Sequence, residues 1–357
     1  MLFRSVSVTT SGGAGTNVGR NAGTIQILGN LFGNASAIGG SPTAATATTA
    51  GNGGAITVVG AVQNSGAISS AGGAGTNTTS ACTGGNGGAL NFGEVYTNST
   101  IVSSGGVGRT TGNGGTGGAV TARVVLSATS ITANGGASVS GLGRNGGTIT
   151  INGNCKGTVV SNGGLSTNST SGSGGNVTIQ GNATNSIQCN GGSGFRGGNG
   201  GNITVTGDAI GVISAGGGNA SGSAATAGNG GSISVTGSMY ASPQNPGGNA
   251  TDATSGTGGN GGDVKLGNLL VLSQSIFCYG GRGATGAGNG GNIDIGNISG
   301  ASISNYGGNI TSASATADAG SGGSITFNGV ASVGNINCYG GDNAGTGLGG
   351  YNEIGRA

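Results

Sequence analysis

One phrase returns along this chain and restricts what it can fold into. It reads Gly51-Asn52-Gly53-Gly54-Ala55-Ile56-Thr57-Val58-Val59-Gly60 early on, and again as Gly146-Gly147-Thr148-Ile149-Thr150-Ile151, Gly200-Gly201-Asn202-Ile203-Thr204-Val205 and Gly290-Gly291-Asn292-Ile293-Asp294-Ile295. Its leading apolar residues are Ile25, Ile56, Leu90, Val120, Ile149, Val177, Ile203, Ile233, Val264, Ile293 and Ile325, and their ten spacings average 30. A fixed period of that size marks a stacked repeat architecture. Strict two-residue alternation inside the phrase makes each unit a half-buried strand rather than a helix.

Each repeat holds a second strand, about 9 to 12 residues after the first, that ends in a glycine pair. Its leading apolar residues read as Val8, Ile68, Ile101, Ile131, Val159, Ile187, Val212, Ile276, Ile303 and Ile336. A short corner between the strands carries an apolar residue of its own, such as Leu31, Val62, Val95, Leu270 or Val330. A glycine-rich return then leads to the next phrase. Stacked in parallel, these units predict an all-β solenoid of about 11 coils and a rod of roughly 50 Å. With no composition break, residues 1–357 read as one domain. The glycines fit corners that need positive φ and sites of close backbone approach, and some returns are expected as polyproline-II-like segments. The coil holding Pro243 and Pro246 lacks a second-strand pattern and is expected to bulge.

Composition removes whole classes of function. Glycine supplies 92 of 357 residues, 5% of residues are charged, and His and Trp are absent. Such a chain can build only a thin core, one layer per repeat. A net charge of +2 gives no field for nucleic acid or acidic lipid, and 3% aromatics cannot stack bases along a strand. No apolar run nears the ~20 residues of a membrane span, so membrane insertion is not expected. Residues Met1-Leu2-Phe3-Arg4-Ser5-Val6-Ser7-Val8 show no run of signal-peptide length, so no export route is visible.

Stacking turns positions into columns. The inward register is carried by pairs such as Ile56 and Val58, Ile149 and Ile151, Ile203 and Val205, and Ile293 and Ile295. Two residues past the second-strand anchor lies an inward slot for small residues: Ser70, Ala133, Ser161, Cys189, Cys278 and Cys338. Its cysteines are too far apart for disulfides, and with no His available no zinc site is expected. One position on, an outward slot holds Asn134, Asn162 and Asn190, then Tyr279, Tyr306 and Tyr339. In-register stacks stabilise parallel β structure. Alternatively the three tyrosines form an exposed strip that binds a glycan or partner.

The few carboxylates argue against catalysis. Only Asp263 and Asp294 fall on adjacent coils of the first strand, and Lys265 beside Asp294 makes an ion pair the simpler reading. The stretch Gly258-Gly259-Asn260-Gly261-Gly262-Asp263 mimics a calcium-binding nonapeptide, but Lys265 stands where an apolar residue belongs. Arg20, Arg109, Arg144, Arg196 and Arg282 sit in the returns, where they are expected to satisfy carbonyls of neighbouring coils. No catalytic, metal or cofactor residue is assigned. An outward Thr column (Thr57, Thr121, Thr150, Thr178, Thr204, Ser234, Thr326) suggests an ice-binding face, but Gln26, Asn91, Lys265 and Asp294 interrupt it.

The Gly-Gly-Asn-Ile-Thr-Val phrase at 200–205 resembles the repeats of secreted filamentous-haemagglutinin-like β-helix adhesins. Gly53-Gly54-Ala55-Ile56 also resembles the repeat of chlamydial polymorphic outer-membrane proteins. The resemblance implies a non-catalytic, adhesive or structural rod outside a cell. A phage or viral fibre fits equally and needs no signal peptide. Partners would then be a surface glycan, a host receptor or copies of the rod itself. Enzyme and ice-binding alternatives are a polysaccharide-binding or -degrading tailspike and an ice-binding solenoid. The chain opens at a second strand around Val8 and reaches a first strand near Ile354, so head-to-tail stacking is expected if the flanks are open.

Overall fold

A computed structural model describes residues 7–63, 66–76, 79–96, 98, 100–252, 254–270 and 275–350. The segment around Ile354 and the opening residues 1–6 lie outside the described residues. The chain is a parallel β-solenoid of about eleven turns, roughly 30 residues apart. Two parallel sheets run the length of the rod, one from the first strands and one from the second. In the first sheet all eleven leading apolar residues stand in one column. Ile25 pairs with Ile56, Ile56 with Leu90, and so on through Val177–Ile203–Ile233 to Ile293–Ile325.

The two sheets face each other across one apolar layer. Ile56, Ile149, Ile151, Ile203, Val205 and Ile295 are 0% exposed, and Val58 and Ile293 are 1% exposed. Each such side chain contributes about 1.5–3 kcal/mol by leaving water. Their alternation with Thr57, Thr150 and Thr204 puts the polar partners outside. A third apolar column closes the corner: Leu31, Val62, Val95, Val125, Cys155, Ala183, Ala209, Met239, Leu269 and Ile298.

Four expectations are corrected by one residue or one element. In the second sheet the anchor is Ile213, paired with Ile187, while Val212 points to solvent. In the corner the buried residue is Leu269, not Leu270, which is 44% exposed. Val330 is 77% exposed, and Ala331 is the residue that pairs with Ile298. Pro243 does not break its coil. It is buried in the anchor slot, in register with Ile213, where its missing N–H is tolerated. The irregularity in that coil lies earlier, between Val235 and Ser238.

The glycine-rich returns hold a second, backbone-built core. Positive φ occurs at Thr110, Ala224 and Gly300 among the described residues, so left-handed corners are not what the glycines supply. They supply close approach. Gly218 N–H donates to Gly198 O, Gly228 to Gly218, Gly248 to Gly228 and Gly259 to Gly248, at 2.8–2.9 Å. These bonds zigzag between the segment leaving the second strand and the segment approaching the next first strand.

In residues 227–231 every amide is bonded. Ala227 and Gly230 donate along the rod to Thr257 O and Asn260 O, and Gly228 and Gly231 donate across it to Gly218 O and Ala215 O. Asn229 donates to the Asn199 side chain at 2.9 Å. A Cβ on Gly228 would lie 1.8 Å from Gly198 O, and one on Gly217 would lie 1.9 Å from Gly228 O. Where two backbones touch in this way, no side chain fits.

Candidate functional site

The inward slot past the second-strand anchor is a row of cross-core struts. Ser161 Oγ donates to Gly147 O at 2.5 Å, and Ser70 and Ser103 donate to Gly54 O and Gly88 O. Cys338 Sγ reaches Gly323 O at 3.2 Å. The slot admits more than small residues. Asn245 Nδ2 donates to Gly231 O at 2.9 Å and Asn305 Nδ2 to Gly291 O at 2.8 Å, leaving both Oδ1 atoms buried without a partner among the described residues. The thiols here are inert. Burial pushes Cys189 up to about 12 and Cys155, in the corner column, up to about 11. Burial raises Cys278 too, helped by the charge of Asp263. A thiol needs thiolate character to react, and these have none near neutral pH.

Outside, the dominant device is a carboxamide ladder. Asn21 Oδ1 accepts from Asn52 N–H, and Asn52 Oδ1 from Asn86 N–H, both at 2.8 Å. Further along, Asn199, Asn229, Asn260 and Asn289 accept from the amides of Asn229, Asn260, Asn289 and Ser321 at 2.8–2.9 Å. The signal was legible as the Asn of each Gly-Asn-Gly-Gly, which stands where the backbone zipper has no partner of its own. Parallel ladders join Asn134, Asn162 and Asn190, and Asn154, Asn182 and Asp208. Each rung satisfies an amide that the glycine-rich backbone would otherwise leave open.

The three tyrosines are brought together. Tyr279 and Tyr306 stack with centroids 4.9 Å apart at 3°, and Tyr306 and Tyr339 at 5.1 Å and 7°. Stacking covers both faces of Tyr306 and leaves ring edges along the surface. Burial, then the flanking Tyr279 and Tyr339, raise the Tyr306 pKa. A phenol with a raised folded pKa stabilises fully below its unfolded pKa of ~10 and loses that contribution as pH climbs through the folded value. Melting temperature is therefore expected to fall above about pH 10, and Tyr306→Phe to fall less over the same alkaline range. Equal slopes would remove Tyr306 from the linkage.

Two carboxylates on the outer face, Asp294 and Glu94, are held by neighbours. Lys265 Nζ lies 3.5 Å from Asp294 Oδ2, Asn328 Nδ2 donates to Asp294 Oδ1, and Arg123 pairs with Glu94. The Thr column holds in register over Thr121, Thr150, Thr178 and Thr204, with Asn91 before it and Ser234 and Lys265 after. Of the arginines, Arg109 Nε donates to Gly75 O at 3.2 Å, as expected of the returns. Arg144 departs from that expectation, with a buried Nε that has no partner among the described residues. Among the described residues no three metal-ligating side chains converge. No protein-family model matches the chain, nor does any curated protein or solved structure.

Proposed function

We propose that this protein is a non-catalytic structural and adhesive rod, exposed on a cell surface or a virion. In this reading it touches a surface glycan, a host receptor or further copies of itself through its outer columns. One observation supports it most: the exterior repeats the same polar or aromatic side chain coil after coil, as in the Tyr279–Tyr306–Tyr339 stack. A wall of that kind presents one chemistry many times at fixed spacing, which favours multivalent attachment over turnover. The resemblance of its phrases to filamentous-haemagglutinin-like adhesin repeats belongs to the same proposal.

The test is attachment of fluorescently labelled rod to cultured cells and to printed glycans. The triple variant Tyr279→Ser, Tyr306→Ser, Tyr339→Ser is expected to attach at least about tenfold less, the scale set by loss of aromatic anchors from an interface. Its far-UV circular dichroism should be retained. Unchanged attachment would make the stack purely structural. The run of four in-register threonines supports an ice-binding alternative, for which thermal hysteresis of the purified rod is the decisive observation. Release of reducing ends from a polysaccharide would favour the tailspike alternative.

A further inference from the structure

We propose that a groove in the first half of the rod binds a linear acidic polysaccharide, one with a carboxylate or sulfate on successive sugars. The groove encloses about 350 Å³ and runs over the returns from Val18 to Arg144. Its floor is Gly19, Ala50, Gly84 and Gly114, a column too small to fill the space. It reaches over five coils, four steps of about 4.8 Å, or roughly 19 Å. That length fits a few sugars laid along the rod axis, and it lies far along the chain from the tyrosine stack.

The chemistry of the lining selects the ligand. Asn21, Asn52 and Asn86 each spend Oδ1 on the next coil's backbone N–H, which fixes the carboxamide orientation. Each Nδ2 group then makes no hydrogen bond to the described residues, so the wall presents a row of donors at the coil spacing. Arg144 closes one end with its guanidinium, whose buried Nε has no partner among the described residues. Among the described residues no carboxylate lines the groove. A surface of donors and one fixed cation is complementary to an acceptor-rich, anionic chain, with charge-assisted bonds at Arg144. Repetition of the donor on three successive coils favours a polymer over a single small anion.

The experiment is titration calorimetry of the full chain with tetragalacturonic acid, with neutral maltotetraose and sodium sulfate as comparison ligands. Asn52→Asp is the informative variant. A carboxylate still accepts the Asn86 N–H, as Asp208 and Asp263 already do for Ser238 and Asn292 at 2.8 and 3.0 Å. It replaces the donor with a negative charge while keeping the fold. Tetragalacturonic acid is expected to bind the parent, at least about tenfold more weakly to Asn52→Asp and to Arg144→Gln, and unchanged to Asn229→Asp, which makes the same replacement outside the groove. No binding to the parent, equal binding to Asn52→Asp, or equal binding of maltotetraose overturns the proposal. Sulfate binding as tightly as the tetrasaccharide also overturns it, leaving a simple anion site at Arg144.

Discussion

Gly228→Ala is expected to unfold its part of the rod, costing about 3–5 kcal/mol through a single methyl group. The added Cβ would sit 1.8 Å from Gly198 O and 2.4 Å from its carbonyl carbon. Neither is the tip of a movable side chain, so the two backbone segments must separate. Separation breaks the Gly228-to-Gly218 bond and weakens Gly248-to-Gly228, each 2.8 Å and each buried from water. An unsatisfied buried amide costs about 1–3 kcal/mol. The unfolded chain loses entropy when Gly becomes Ala, which favours folding by about 0.4–1 kcal/mol, but the clash outweighs it. Gly29→Ala is the control, because no described residue lies within 4 Å of its added Cβ. It should leave the melting temperature unchanged or slightly raised. Equal behaviour of the two variants in thermal melts would remove close approach as the reason for so many glycines.

Ile203→Asp should also be severely destabilising, by several kcal/mol, while Thr204→Asp next to it changes stability by less than about 0.5 kcal/mol. Ile203 is 0% exposed between Val177 and Ile233, and Thr204 faces outward. A carboxylate at 203 has no partner inside the apolar layer and must either stay charged there or take up a proton. A one-residue slip of register would exchange the two faces, and with them the two outcomes. Denaturant melts of both variants therefore test the register itself. Because each coil supports its neighbours, partial unfolding into two shorter rods is the expected form of the damage.

Much of this was legible in the sequence wherever an Ile, Val or Leu marked the column, since burial leaves few alternatives for such a residue at a fixed period. It failed where two apolar residues stand side by side. Val212 and Ile213 both precede glycines, and the run Gly216-Gly217-Gly218 hides which two form the pair. The zipper settles it, because Gly217 and Gly218 meet the facing backbone and Gly216 falls in the Asn190 column. Leu269 with Leu270, and Val330 with Ala331, are ambiguous in the same way.

Anchors that lack a branched apolar side chain were invisible. Ala35 and Pro243 occupy second-strand slots that a search for Ile or Val passes over. The asparagine ladder was in plain view as Gly-Asn-Gly-Gly, but its meaning depends on which amide lies above each carboxamide, and only stacking supplies that. The groove near Arg144 arises from four small floor residues in four different coils, so no local stretch announces it.

The account rests most heavily on the glycine-rich returns being a bonded core rather than surface loops. Amide hydrogen exchange measured residue by residue reads this directly. The amides of Gly218, Gly228, Gly248 and Gly259 are expected to exchange as slowly as those of Ile203 and Val205, since both sets open only when coils separate. Exchange of those glycine amides at the rate of an unstructured chain, with the strands still protected, would contradict the account.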